Sequence, residues 1–201
     1  RFMTNEFIDF IAGKDVQIKD DLSSVKEIFT DAKEYGSILN VPSLGYKDIL
    51  ERIDALQNII VEDIFQIEYR NVAVEQLRPV VRQAMIMSQK YDVVVTNPPY
   101  MGSNAMNLSL LSYIRKHYSQ GKSDLYAAFI SRCNGYCISN GFISMITMHN
   151  WMFLSSYENL RREILAGNLI NMIHLGARAF DEIAGEVVQT TAFIRRNGGV
   201  P

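Results

Sequence analysis

The stretch YDVVVTNPPY, residues 91–100, starts as a β-strand and stops in a way that no strand continues. Tyr91 to Thr96 is a short apolar run containing three successive valines, suited to a strand buried on both faces of a sheet. Asn97-Pro98-Pro99-Tyr100 follows at once. Neither proline can donate to a ladder, each fixes its own φ, and each restricts the residue before it. The turn is therefore rigid, with an amide on one side and a phenol on the other. In open α/β sheets ligands bind off the carboxyl ends of strands, and this turn stands at such an end. The Asn97 side-chain oxygen and a backbone carbonyl at Pro98 offer two acceptors, and Tyr100 offers an aromatic face. A planar ligand with an exocyclic NH₂ suits that set: its two N–H groups meet the acceptors while its ring stacks. The alternative is a structural proline turn with Asn97 as a cap. Its place after a strand and before a Gly-containing loop favours binding.

Beyond the turn the pattern is strand, helix, strand, helix, strand. A helix is expected over 122–140, N-capped by Ser123 or Asp124 and stopped by Gly141, with Leu125, Ala128, Phe129, Cys133 and Tyr136 inward. Strands are expected over 142–147, 169–175 and 187–195. A helix over 157–166, capped at Ser155-Ser156 and closed by Gly167, separates the first two of these. Such alternation indicates a parallel sheet with crossovers. The last two strands are joined by too few residues for a helix, so an antiparallel return at the sheet edge is expected there.

Before Tyr91 the chain reads as helical and carries no strong chemistry. One helix is expected to start at Asp20-Asp21-Leu22-Ser23-Ser24, with Val25, Ile28, Phe29 and Ala32 at helical spacing. A second begins near Tyr46, with Ile49, Leu50, Ile53 and Leu56 on one face, and a third covers 72–89, begun, kinked or interrupted by Pro79. The expected organisation is a helical accessory segment, residues 1–90, followed by a partial catalytic domain, residues 91–197.

With 48% hydrophobic and 21% charged residues among 201, the composition excludes disordered and fibrous classes. A net charge of −2 neither requires nor excludes nucleic acid, since a basic face can coexist with acidic residues elsewhere. No apolar run approaches the roughly 18 to 20 residues of a membrane helix, so no membrane partner is expected. Cys133 and Cys137, four apart on one helix, are expected to be buried free thiols of a cytoplasmic protein. The start at Arg1 and the end at Pro201 suggest a piece of a longer polypeptide.

Thr96-Asn97-Pro98-Pro99-Tyr100-Met101-Gly102 resembles motif IV of the S-adenosylmethionine-dependent amino-methyltransferases, in particular the N6-adenine DNA methyltransferases. SDLYAAFISRC (123–133) resembles the helix of motif V in that family, GFISMITMHNWMFLSSYENLRREIL (141–165) the strand and helix of motif VI, and HLGARAFDEIAGEVVQTTAFIRR (174–196) the closing strands. This last segment, with YDVVVTNPPYMGS and YGSILNVPSL, is most similar to the large adenine methyltransferases of BREX phage defence and to fused type II restriction–methylation enzymes. The resemblance covers residues 91–196 well and 25–90 more loosely. It implies an α/β fold: the C-terminal part of a Rossmann-like methyltransferase sheet, preceded by a mainly helical segment. It also implies S-adenosyl-L-methionine as cofactor, a flipped adenine in double-stranded DNA as substrate, other defence-system subunits as possible partners, and Asn97, Pro98, Pro99 and Tyr100 as the catalytic residues.

One departure stands out. The family's Gly-rich cofactor loop is not visible, Gly13 standing alone, so the cofactor-binding residues are expected upstream of Arg1 and the isolated chain is expected to be inactive. Two other functions fit the Asn-Pro-Pro-Tyr string: methylation of a glutamine amide in protein, or a scaffold part of a defence complex with a vestigial pocket.

Other candidates have plainer readings. His149 and His174 are imaginable bases but read as structural. Asp63 resembles a cofactor-contacting acid but reads as a surface carboxylate, and Asp124 reads as an N-cap with a minor role near the site. Arg115, Lys116 and Lys122, on a predicted loop, offer phosphate contacts but read as a solvated face. Trp151 reads as core rather than base-stacking.

Overall fold

The computed structural model describes residues 2–59, 63–166, 168–176 and 189–198. The chain divides into two compact units, Arg1–Gln89 and Lys90–Pro201.

The first unit is helical: α1 (Asn5–Ala12), α2 (Val16–Phe29), α3 (Ala32–Tyr35), α4 (Tyr46–Leu56), α5 (Ile64–Val72) and α6 (Arg78–Ser88). The start of α2 differs from expectation. Asp15 caps it by accepting from Ile18 N at 3.0 Å, so the Asp20–Ser24 cluster lies inside the helix. Asp21 is buried there, accepting from Gly45 N at 2.9 Å and from Gln17 at 3.0 Å. On α4, Ile49, Ile53 and Leu56 of the expected face are buried together with Tyr46, while Leu50 is only partly buried. A π-helical segment over Ala73–Leu77 joins α5 to α6, and Pro79 stands at the second residue of α6.

The second unit is a mixed α/β sandwich. Its strands are β1 (Tyr91–Thr96), β2 (Cys137–Met148), β3 (Asn168–Gly176) and β4 (Thr190–Arg196), and its helices are α7 (Leu108–His117), α8 (Leu125–Tyr136) and α9 (Glu158–Ala166). The sheet order is β1-β2-β4-β3. β1 and β2 are parallel, while β4 is antiparallel to both β2 and β3. The fold is thus mixed α/β with a helical N-terminal part. The expected antiparallel return stands at the sheet edge: β3 is the rim strand, and β4 returns between it and β2. Alternation within β4 explains the insertion. Thr191, Phe193 and Arg195 are buried on one face, and both of its ladder edges are paired. The expected helix stop at Gly167, the connection 177–186 and the strand start at 187–188 lie outside the described residues.

α8 and α9 cover one face of the sheet. Tyr126, Ala127, Ile130 and Cys133 of α8 and Leu160 and Ile164 of α9 pack with Ile143, Met145 and Phe193 from the strands. Burying such side chains stabilises by roughly 1.5–3 kcal/mol each. The other face is open among the described residues. Val93 is 55% and Val95 72% exposed, so β1 is not buried on both sides as its apolar run suggested. It is one of the two edge strands and is covered only on the Val94 face.

The α8–β2 junction also departs from expectation. α8 ends at Tyr136, and Cys137 already belongs to β2, so the two cysteines do not share a helix. Both thiols are free and buried, and burial pushes Cys133 up to about 11. Gly141 does not stop a helix; it lies within β2, opposite an irregularity in the pairing with β1. A Cβ there would meet Asp92 O and Cys137 Sγ at 2.7 Å. Asn140 beside it adopts φ 64, the left-handed region that Asn tolerates. No helix among the described residues is long and apolar enough to cross a membrane.

Candidate active site

β1 delivers Asn97 to the carboxyl end of the sheet, and the proline turn then folds back over the covered face. Asn97 and Pro99 are exposed, Pro98 is buried, and Tyr100 is half-buried against the core. The Tyr100 hydroxyl donates to Asn97 Oδ1 at 3.2 Å, closing the turn on itself. A carboxamide oxygen has two lone pairs, so Asn97 Oδ1 retains one for a further donor. No donor among the described residues engages the Pro98 carbonyl.

Tyr100 is set from behind by Tyr126, edge-on with ring centroids 6.0 Å apart and planes at 82°. Tyr126 is buried, lies near Tyr157 in turn, and is a site neighbour that the sequence reading missed. Its signal was present, since a Tyr two residues after the Asp124 N-cap lies in the first turn of α8. The Tyr100 phenol is held above its ordinary value, first by burial and then by the nearby Asp124 carboxylate.

Asp124 ties the turn to α8. As N-cap its Oδ1 accepts from Tyr126 N at 3.2 Å and from Met101 N at 3.0 Å. Leu125 N donates to Met101 O at 2.9 Å, and Gly102 bridges to Asp124. The N-cap expected from sequence is therefore also the anchor of the residues just past Tyr100. Burial raises the pKa of Asp124, opposed by hydrogen bonds from the Met101, Tyr126 and Leu125 amides.

The remaining candidates fall elsewhere. Asp63 caps α5, accepting from Phe65 N at 2.8 Å and Gln66 N at 3.1 Å, so it is more than a plain surface carboxylate. His149 and His174 are brought together, Nδ1 to Nε2 at 2.9 Å, on the exposed side rather than in the core. Burial and the neighbouring His174 lower the pKa of His149. Arg115 and Lys116 sit on the last turn of α7, not on a loop, and Lys122 follows the turn after it. Trp151 is core: it is buried, donates to Thr147 Oγ1 at 3.0 Å and packs edge-on against Phe193.

The described residues fit an incoming amine better than they fit a methyl donor. Unfilled acceptor capacity stands at Asn97 beside a half-exposed ring. No glycine-rich cradle follows β1, and Asp63 is committed to its helix.

The arrangement is a strand-end acceptor site on a mixed α/β sheet. The chain belongs to the Eco57I restriction-modification methylase family, whose profile matches residues 11–180. It is 44% identical over 172 residues to the adenine-specific methyltransferase BrxX of Escherichia coli O9:H4 (strain HS), covering 85% of this chain and 14% of that protein. It is 40% identical over 191 residues to the adenine-specific methyltransferase PglX of Lacticaseibacillus casei (strain Zhang), covering 94% of this chain and 16% of that protein. The chain thus spans about a seventh of the length of these relatives. Among solved structures, one from Listeria monocytogenes assigned to the class I S-adenosylmethionine-dependent methyltransferases aligns with a TM-score of 0.43 at 11% identity, over 98% of this chain and 80% of that one.

Proposed function

We propose that the protein carrying this chain transfers a methyl group from S-adenosylmethionine to the N6 amine of adenine in double-stranded DNA, within a larger phage-defence or restriction–modification protein. This chain holds the amine. The observation that carries the reading is the Asn97 carboxamide oxygen, fixed at the end of β1 by the Tyr100 hydroxyl and keeping an unfilled lone pair. Membership of a methylase family, with relatives named adenine-specific methyltransferases, supports the substrate.

S-adenosylmethionine, when bound, supplies a methyl group already made electrophilic by its sulfonium. The residues of this chain act on the other reactant. The adenine amine is a poor nucleophile because its lone pair is delocalised into the ring. Asn97 Oδ1 and the Pro98 carbonyl accept from its two N–H groups and favour a more tetrahedral, electron-rich nitrogen. Positioning and electrostatics therefore carry the catalysis. The base must leave the duplex to reach the turn, and Tyr100 offers it a stacking surface worth roughly 1–3 kcal/mol.

The test uses the intact protein with labelled cofactor, assayed in parallel on duplex DNA and on total cell protein. Label is expected on adenine N6 in DNA and is expected to vanish in Asn97→Ala, while duplex binding persists. Label in protein rather than DNA would refute the adenine assignment. Full activity in Asn97→Ala would refute the role of the turn.

A further inference from the structure

We propose that the cleft beside the proline turn binds a backbone phosphate of the DNA strand whose base enters at Tyr100, a proposal that rests on the adenine reading above. The cleft encloses about 380 Å³ and is lined by Ser103, Arg115, Ser119, Lys122 and Ser123. That is two cations and three hydroxyls, with no carboxylate in the wall among the described residues. Among the described residues neither Arg115 nor Lys122 has a carboxylate at ion-pair distance. Asp124, next in sequence, turns its carboxylate to the Met101 and Tyr126 amides instead.

The wall is assembled from three separate pieces of chain, each held in place. Ser103 comes from the loop after Tyr100, and its amide donates to Ser123 O at 3.0 Å. Arg115 comes from the last turn of α7. Ser119, Lys122 and Ser123 come from the turn that precedes α8. Gly121 presses that turn onto α8 so closely that a Cβ would lie 2.4 Å from Ala128 N. The N-terminal amides of α8 are already engaged by Asp124 and Met101, so recognition falls to the side chains. A guanidinium fork, an ammonium and hydroxyl donors are the set that grips phosphate oxygens without reading sequence.

Position matches the chemistry. Ser103 lies three residues beyond Tyr100, so their Cα atoms are at most about 11 Å apart. A nucleotide extruded from the duplex places its flanking phosphates within such a distance of its base. From sequence these cations offered phosphate contacts but read first as a solvated face. The structure joins Arg115 and Lys122 to three serines in one concavity.

The experiment measures duplex affinity of the intact protein against salt by fluorescence anisotropy, for wild type, the Arg115→Ala/Lys122→Ala double variant and Arg196→Ala. The last removes one charge at the other end of the strands, where Arg196 of β4 stands opposite Phe142 of β2. The double variant is expected to lose about 10-fold or more in affinity at physiological salt and to lower the log–log salt slope by about 1–2. Arg196→Ala should follow the wild-type slope. A charge-conserving pair, Arg115→Lys with Lys122→Arg, should recover the slope; failure to recover it would mean that the loss was structural, and the proposal falls. An unchanged slope in the double variant, with adenine labelling intact in wild type, removes the cleft and leaves the methylation reading standing. A reduced slope without adenine labelling in wild type does the reverse, retaining a nucleic-acid phosphate site and removing the methylation reading. Binding of ATP or inorganic phosphate that the double variant abolishes, with the duplex slope unchanged, would assign the cleft to free phosphate compounds and overturn the proposal.

Discussion

The Tyr100 hydroxyl and the Asn97 side-chain oxygen are hydrogen-bonded across 3.2 Å, so the ring that would stack on a base also orients the acceptor that would meet its amine. Stacking alone makes Tyr100→Phe silent, since the rings are equivalent in area. The hydrogen bond breaks that equivalence. Losing a bond of about 1 kcal/mol should slow methyl transfer by about five-fold through freer rotation of Asn97, with duplex affinity retained. Tyr100→Leu, which removes the ring as well, should be worse and should also weaken the complex with an extruded base. Single-turnover rates and duplex binding for the two variants separate the contributions. Equal rates for Tyr100→Phe and wild type would mean that the bond does not set the acceptor.

Asp124 allows a pH prediction with a definite sign. Its folded pKa is raised, chiefly by burial, so the folded state favours the protonated carboxyl. Local stability is then fully present below the ordinary carboxylate value and declines as pH rises through the raised one. Asp124→Asn keeps an Oδ1 acceptor without the buried charge. Protection from hydrogen exchange at 101–103 and 124–130, corrected for intrinsic rate, should weaken with rising pH in wild type and stay flat in Asp124→Asn. Asp124→Ala removes the cap and the Met101 tether together and should expose both segments at every pH, by about 1 kcal/mol or more.

Gly121 offers a steric test of the same region. Atoms within 2.6 Å of an added Cβ are α8 backbone, Ala127 C and Ala128 N and Cα, with no flexible side chain to move aside. Gly121→Ala should therefore lift the 119–121 turn at a cost of about 1–3 kcal/mol. Faster exchange across 119–128 is the expected readout, with α9 amides unaffected. Unaltered exchange would show that the turn is loosely seated.

Much of this site was legible in the sequence because its signals are local. Proline chemistry fixes Asn97 to Tyr100 at a strand end whatever surrounds them, and the Ser123-Asp124 pair announces a helix start. Long-range features were not legible. Nothing near Thr190 says that β4 slips between β2 and β3, because that choice depends on two other ladders. Val93 and Val95 look buried from their chemistry, but whether a sheet face is covered depends on elements far away in sequence, and Phe142 and Ile194 on the interior strands are exposed on that face as well. Asn140-Gly141 reads as a helix stop or a turn. Only the approach of Asp92 O shows why a strand needs glycine there. The Tyr126–Tyr100 packing and the Arg115–Lys122 cleft likewise join residues that helix periodicity does not pair.

Trp151 and Thr147 are both buried, and the indole N–H donates to Thr147 Oγ1 at 3.0 Å. Thr147 stands on β2 two residues beyond Met145, part of the core on which Tyr100 packs. Thr147→Val conserves shape and removes the acceptor, leaving a buried donor unmet at a cost of about 1–3 kcal/mol. Thr147→Ser keeps the oxygen and loses one methyl, about 1 kcal/mol by transfer. If the hydrogen bond matters more than the methyl, hydrogen exchange over 142–152 should accelerate more in Val than in Ser, although Val is the closer match in volume. The reverse order would show that packing against Phe193 alone holds Trp151, and that its N–H is satisfied by another route.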